Sequence, residues 1–315
     1  MTLLYLNDSF ANHRTGSHPE CPARILRLNE LLKSNQWDQK ASLPQWSPAT
    51  SAMMTAIHGP VYVEQLKGWD RNDAGQVEAD TIIRTGSWDA AALAAGAACD
   101  AVDRVSRGED SRAFCVIRPP GHHALKDAPM GFCLLNNVAI AAKHALQAHG
   151  LDRVMIVDWD VHHGNGTQDI FWEDGQVAFF SSHRFPFYPG TGKADETGAR
   201  AGLGWTKNLP VSGNISRDDF MKRFATELTQ FADKIKPQLI LLSAGFDAHV
   251  DDPVGGLCLS EPDFAELTKC VSDIAAVHCQ GKIVSLLEGG YHLQHMPLSA
   301  LAHFEMLHES RPNQA

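Results

Sequence analysis

The chain has 315 residues, 44% of them hydrophobic and 20% charged, enough apolar material for one large or two smaller globular cores. Its formal net charge of −10 excludes a binder held to nucleic-acid phosphates by clustered Lys and Arg. The seven cysteines (21, 99, 115, 133, 258, 270, 279) form no CxxC pair and no disulfide framework, which points to a reducing, cytoplasmic setting. The opening residues, MTLLYLNDSFANHR, carry no basic leader followed by an apolar stretch, and no run of about 18 apolar residues follows, so neither a signal peptide nor a membrane span is expected.

In chain order, short β-branched apolar runs alternate with longer helical segments. Strands are predicted at 3–6, 113–117, 154–157, 177–180, 239–243 and 283–287. Helices are predicted at 87–105, with Ser87 as N-cap, at 136–150, closed by Gly150, and at 216–235 and 261–279. This alternation predicts an α/β fold with a central, mostly parallel sheet. No repeat, low-complexity tract or Pro/Ser-rich linker marks a boundary, so residues 1–315 read as a single domain.

The unusual residues gather where strands should end: RPPGHHA after 113–117, DWDVHHGNG after 154–157, SSHRF after 177–180, AGFDAHVDDP after 239–243 and EGGYH after 283–287. In a parallel sheet these ends share one rim, where ligands bind. Asp158, Asp160 and His162 alternate, so at extended geometry neighbouring members project to one side about 6–7 Å apart. A lone DxD or HisHis pair is usually a solvated loop. Here the charges follow a run that should be buried, where uncompensated charge costs several kcal/mol, and a cation is the obvious compensation.

A catalytic zinc takes three His or carboxylate ligands and leaves one position open. Asp160 and His162 supply two; Asp247 is the best third, with Asp251 and Asp252 as competitors in a turn before Pro253. Asp158 then orients a histidine or holds another cation, and Gly164 and Gly166 let the chain turn sharply. Beside a metal-bound water, His122 and His123 can move protons, and the Tyr291 hydroxyl can stabilise a tetrahedral oxyanion. Together these groups specify metal-assisted hydrolysis of an amide-like bond. There is no GxSxG, P-loop or HExxH.

RPPGHHA, GFCLLNNVAIAA, VDWDVHHGNGTQDIFW, FYPGTG, SAGFDAHVDDPVGG and LLEGGYHL, in this order, make the chain resemble the histone deacetylase superfamily of zinc-dependent deacylases on the arginase-like α/β fold, from about residue 18 to about residue 305. The resemblance implies zinc ligands Asp160, His162 and Asp247, a catalytic pair His122 and His123 with partners Asp158 and Asn165, and Tyr291 as the group polarising the acyl carbonyl. It also implies structural potassium at Asp158 and Ser181 with backbone oxygens of Asp160, His162 and Ser182, and a second monovalent site on main-chain oxygens around Phe171, Asp174 and Val177. Gly131, Phe132, Tyr188, Val254 and Gly289 correspond to substrate-binding positions of a narrow acyl-lysine tunnel, and Asp80 to a rim aspartate.

Asn165 stands where class I members carry an aspartate, so His123 is expected to be the neutral-to-cationic switch at moderate pH. EGGY and HHGNGTQ indicate the class II-like branch and its bacterial relatives. The expected activity is removal of an acetyl or other short acyl group from an acyl-lysine side chain, with no nucleic acid or membrane as partner. The alternatives are an acetylpolyamine or other small-molecule deacetylase, a dimanganese ureohydrolase on the same fold, and a non-catalytic acyl-lysine binder.

Overall fold

The computed structural model describes residues 2–310. Its elements run β1 (Leu3–Tyr5), α1 (Pro22–Ser34), α2 (Trp37–Lys40), α3 (Ser51–Thr55), α4 (Pro60–Arg71), β2 (Gly75–Gln76), β3 (Ile82–Ile83), α5 (Ser87–Arg107), β4 (Arg112–Cys115) and α6 (Asn137–His149). They continue β5 (Val154–Asp158), α7 (Asn165–Ile170), β6 (Val177–Arg184), β7 (Thr206–Val211), α8 (Arg217–Ile235), β8 (Leu239–Ala244), α9 (Glu261–His278), β9 (Ile283–Leu287) and α10 (His295–Glu309).

Seven strands form one sheet in the order β1-β4-β9-β8-β5-β6-β7, every neighbouring pair parallel. All residues of β5, β8 and β9 are buried, as expected of a parallel sheet covered on both faces. One group of helices, α5 and α6, packs together and against β4, β5, β8 and β9; α1, α8, α9 and α10 form a second contiguous group. Alanines 90, 91, 94, 95, 98 and 101 are buried on α5, and their small side chains let that helix lie close to its neighbours.

The six expected strands are present, 283–287 with its ends unchanged and the others with shifted ends. Strand 113–117 stops at Cys115, before a cis Arg118–Pro119 bond, and β6 runs four residues beyond 180, to Arg184. β7, TKNLPV, escapes the sequence pattern because it mixes polar residues with Pro210; it is an edge strand, where a residue without an N–H is tolerated. Ser87 is not an N-cap. Gly86 caps α5, and the Ser87 hydroxyl instead accepts from Arg84 N (2.9 Å) and pairs with His13 Nδ1 (2.7 Å). Gly150 does close α6 in the left-handed conformation, and Asn136 caps its start by accepting from Ala139 N at 3.0 Å.

The register brings the strand ends level. Asp158 pairs with Ser181 on one side and Ser243 on the other, and Ala244 pairs with Leu287. β4, β9, β8 and β5 are consecutive in the sheet, so the segments following them meet at one rim.

Candidate metal centre and its cavity

The rim gathers more buried charge than any local stretch suggests. Asp158, Asp160 and Asp247 have no exposed surface, Glu288 has 1%, and His122, His123 and His162 are buried beside them. His162 Nδ1 lies 3.0 Å from Asp160 Oδ1 and 3.0 Å from Asp247 Oδ2. Each of these three residues offers a ligand atom, and the atoms all lie within 4.8 Å of one another.

Backbone N–H groups hold the acids. Asp247 Oδ1 accepts from Val161 N at 2.8 Å, Asp160 Oδ2 from Gly289 N at 2.9 Å, and Asp160 Oδ1 from His162 N at 3.0 Å. Gly289 is required by space: a Cβ there would sit 2.4 Å from Asp247 Oδ2 and 2.5 Å from Asp160 Oδ2. Gly164 is a glycine for the same reason and not for a sharp turn. Its φ is −72°, and a Cβ would meet Asp158 Oδ2 at 2.2 Å. An acidic pair and an imidazole turned toward one point, with their other oxygens taken by main chain, fit a zinc ion with an open position.

The electrostatics agree with a site made for a cation. Burial and the nearby Asp160 charge push Asp247 up to about 7. Burial alone would raise Asp160 as well, but His122 and His162 hold it low. For His122 burial favours the neutral ring; the carboxylates of Asp158 and Asp160 outweigh it and push the pKa up to about 10.

The two adjacent imidazoles, 4.0 Å between centroids, are held differently. His122 Nδ1 pairs with Asp158 Oδ2 at 2.9 Å, and His123 Nδ1 donates to Asn165 Oδ1 at 2.7 Å. Asn165 Nδ2 points at Met130 Sδ (3.3 Å), which orients the amide and leaves the lone pair of His123 on Nε2. Burial, with His122 and His162 nearby, holds His123 well below the ordinary histidine range. Against the expected charge switch at moderate pH, these surroundings favour the neutral ring of His123.

A narrow cavity of about 150 Å³ leads in, lined by Asp80, His123, Gly131, Phe132, His162, Phe187, Tyr188, Val254 and Tyr291. The Tyr188 ring lies 5.3 Å from that of His123, and the Phe132 ring meets Tyr291 edge-on at 5.6 Å. Asp80 is partly exposed beside Glu78; burial and that neighbour push it up to about 6. Tyr291 is 8% exposed, with the Arg24 guanidinium 5.0 Å from its ring centroid.

Ser181 is buried, its hydroxyl 2.9 Å from His183 Nδ1, and Ser182 Oγ is buried without a hydrogen-bond partner. Phe171 O accepts from Asp174 N (3.1 Å), while Asp174 Oδ1 accepts from the N–H groups of Gln176 (2.7 Å) and Val177 (3.3 Å). The competitors for third ligand lie elsewhere. Asp251 is 59% exposed, and Asp252 accepts from Tyr291 N (2.7 Å) and His292 N (3.2 Å), steadying the tyrosine loop.

Sequence reasoning missed three further groups here. Phe187 stacks on His162 at 5.2 Å and 18°. Glu288 Oε2 accepts from Gly121 N (2.6 Å) and His122 N (3.2 Å), and its Oε1 from Ser243 Oγ (3.2 Å). Arg24 donates to Gly290 O and Glu288 O, both at 2.6 Å. Only Glu288 had a local signal, a carboxylate directly after an apolar strand, as at Asp158.

Residues 18–307 match the histone deacetylase domain family. The chain belongs to that family. Histone deacetylase 14, chloroplastic, of Arabidopsis thaliana is 38% identical, over 97% of this chain and 76% of that protein. Polyamine deacetylase HDAC10 of Homo sapiens is 36% identical over 93% of this chain and 45% of its own length. The crystal structure of the HDA15 HD domain superposes with a TM-score of 0.91 at 34% identity, covering 100% of this chain and 91% of that one. The family's fold and the seven-stranded parallel sheet thus agree.

Proposed function

We propose that the chain is a single catalytic domain that hydrolyses the amide of an acetylated, or otherwise short-acylated, lysine-type amine, releasing the carboxylate and the free amine. The observation carrying this reading is the narrow cavity whose lining includes His123, His162 and Tyr291 and which meets the Asp160, His162 and Asp247 donors. Its small volume, about 150 Å³, and its aromatic lining at Phe132, Phe187 and Tyr188 suit a linear chain ending in a planar amide.

Asp160, His162 and Asp247 would hold zinc. Bound there, zinc supplies a Lewis acid that polarises the acyl carbonyl and acidifies water. His123 accepts the water's proton on Nε2, and the Nδ1 bond to Asn165 keeps that nitrogen facing the cavity. The water oxygen bonds to the acyl carbon, and Tyr291 donates a hydrogen bond to the oxygen on which charge develops. As the C–N bond breaks, His123 returns the proton to the leaving nitrogen. His122, tied to Asp158, supplies positive charge beside the reacting carbonyl. The cavity walls, Gly131, Phe132, Phe187, Tyr188 and Val254, exclude water from the aliphatic stem.

The pairing of Asp158 with Ser181 across β5 and β6 supports a structural potassium ion there, with the backbone oxygen of Ser182 next in the chain, and a second is assigned to Phe171, Asp174 and Val177. A cytoplasmic location completes the reading; no helix among the described residues is long and apolar enough to cross a membrane.

A second reading, an acetylated diamine or polyamine as substrate, draws on the Glu78 and Asp80 carboxylates near the mouth, which would attract a second ammonium group. Turnover against a matrix of acyl chains and amine carriers, with metal content measured on the same sample, separates the readings. Cleavage of acetyl-lysine peptides with one catalytic zinc supports the first, and preference for acetylated diamines supports the second. Two manganese ions per chain with ureohydrolase activity, or no cleavage across the panel, refutes both.

A further inference from the structure

A second cluster of metal-donor side chains lies between α5 and α6. Asp103 Oδ1 is 2.8 Å from His144 Nε2 and 2.6 Å from His149 Nε2, and ligand atoms from all three residues lie within 4.8 Å of one another. Both helices lead out to the beginnings of strands, α5 to β4 and α6 to β5, so this cluster is at the edge of the sheet opposite the catalytic rim.

Three features make the cluster a cation site. First, α6 ends at His149, and α5 ends at Arg107, one turn after Asp103. The negative ends of both helix dipoles lie at this end of the pair, which favours a cation. Second, the side chains of Asp103, His144 and His149 are 23%, 13% and 16% exposed, so an ion can enter and complete its shell with water. Third, among the described residues no protein donor reaches Nδ1 of either ring. Each ring can therefore shift the Nε2 proton that bonds Asp103 Oδ1 over to Nδ1 and present the Nε2 lone pair to a cation. Arg107 lies 3.7 Å from Asp103 Oδ2, which leaves Oδ1 as the oxygen facing both imidazoles.

The His249, Glu261 and His295 cluster lacks the third feature. Asp251 N donates to His249 Nδ1 at 3.1 Å, which puts the ring proton on Nε2, pointing to Glu261 Oε2 at 3.5 Å. With Nδ1 already accepting and the proton on Nε2, which has no hydrogen-bond partner, His249 offers no free lone pair to a metal.

We propose that Asp103, His144 and His149 bind a second divalent ion of the zinc class, which clamps the ends of α5 and α6 together. Imidazole with carboxylate suits zinc, nickel or copper rather than calcium or magnesium. The site is independent of the catalytic centre.

The test equilibrates metal-stripped protein with zinc by dialysis, then measures bound metal by elemental analysis and the thermal unfolding midpoint. Wild type is expected to bind two zinc ions per chain. His144→Ala and His149→Gln should each bind one and retain wild-type turnover, which also shows that they are folded. Asp160→Asn should bind one and lose turnover, and its remaining zinc should still raise the thermal midpoint; in a double variant with His149→Gln that rise should vanish. One zinc per wild-type chain that both histidine variants keep and Asp160→Asn loses, or two per chain in both histidine variants, overturns the proposal. A wild type that binds zinc only at the Asp103 cluster sinks the catalytic assignment and leaves this one standing.

Discussion

Tyr291 and Glu288 stand three residues apart in the same loop, and their roles separate cleanly by substitution. Tyr291 lines the cavity, so Tyr291→Phe should keep the metal and the fold while kcat falls roughly 100-fold, the scale of losing one oxyanion donor. Near-normal turnover in that variant would remove Tyr291 from the mechanism. Glu288 does not line the cavity; it clamps the N–H groups of Gly121 and His122. Glu288→Ala should therefore lower kcat about 10- to 100-fold with little change in KM, the range typical for groups that orient a site from behind. Glu288→Gln retains an oxygen for those N–H groups and should recover most of the loss. Equal damage from both substitutions would show that charge, and not the clamp, is what matters.

At the scale of elements, the loop ahead of α1 is fastened to the end of β4 by a fully buried ion pair. Arg118 Nη2 donates to Glu20 Oε2 at 2.9 Å, and Arg118 Nη1 to Phe10 O at 3.0 Å and His13 O at 2.6 Å; Arg24 reaches the same carboxylate at 3.1 Å. Removing Arg118 leaves buried acceptors unpaired, so Arg118→Ala should destabilise the fold by about 3 kcal/mol or more, measurable by urea unfolding. The segment around Glu20 was legible as part of the family resemblance, which begins at about residue 18. Its physical task was not, because Glu20 and Arg118 are 98 residues apart and meet only across the sheet rim. Phe187 was hidden because its partner His162 lies on another strand's loop. β7 was hidden for a different reason: an edge strand needs no continuous apolar run.

For the whole molecule, acid should act through that buried pair. Burial would raise Glu20, but Arg118, His13 and Arg24 hold it below the ordinary glutamate range. Its contribution to stability is thus fully present above the unfolded value of about 4.5 and is lost as pH falls toward the folded value. Urea midpoints should decline below about pH 4.5, and the decline should be smaller in Glu20→Gln; an equal slope in both proteins would assign acid sensitivity elsewhere. Strand alternation, the placing of polar residues at strand ends and the Asp160 and His162 spacing are local properties, and the sequence by itself determined them along with the α/β class and the family. Which of Asp247, Asp251 and Asp252 faces His162, which imidazole stays neutral, and that Asp103 meets two histidines of another helix were decided only by the tertiary structure. Each depends on distances between segments far apart in the chain, and on burial, which exists only once the sheet and its helices have closed over the site.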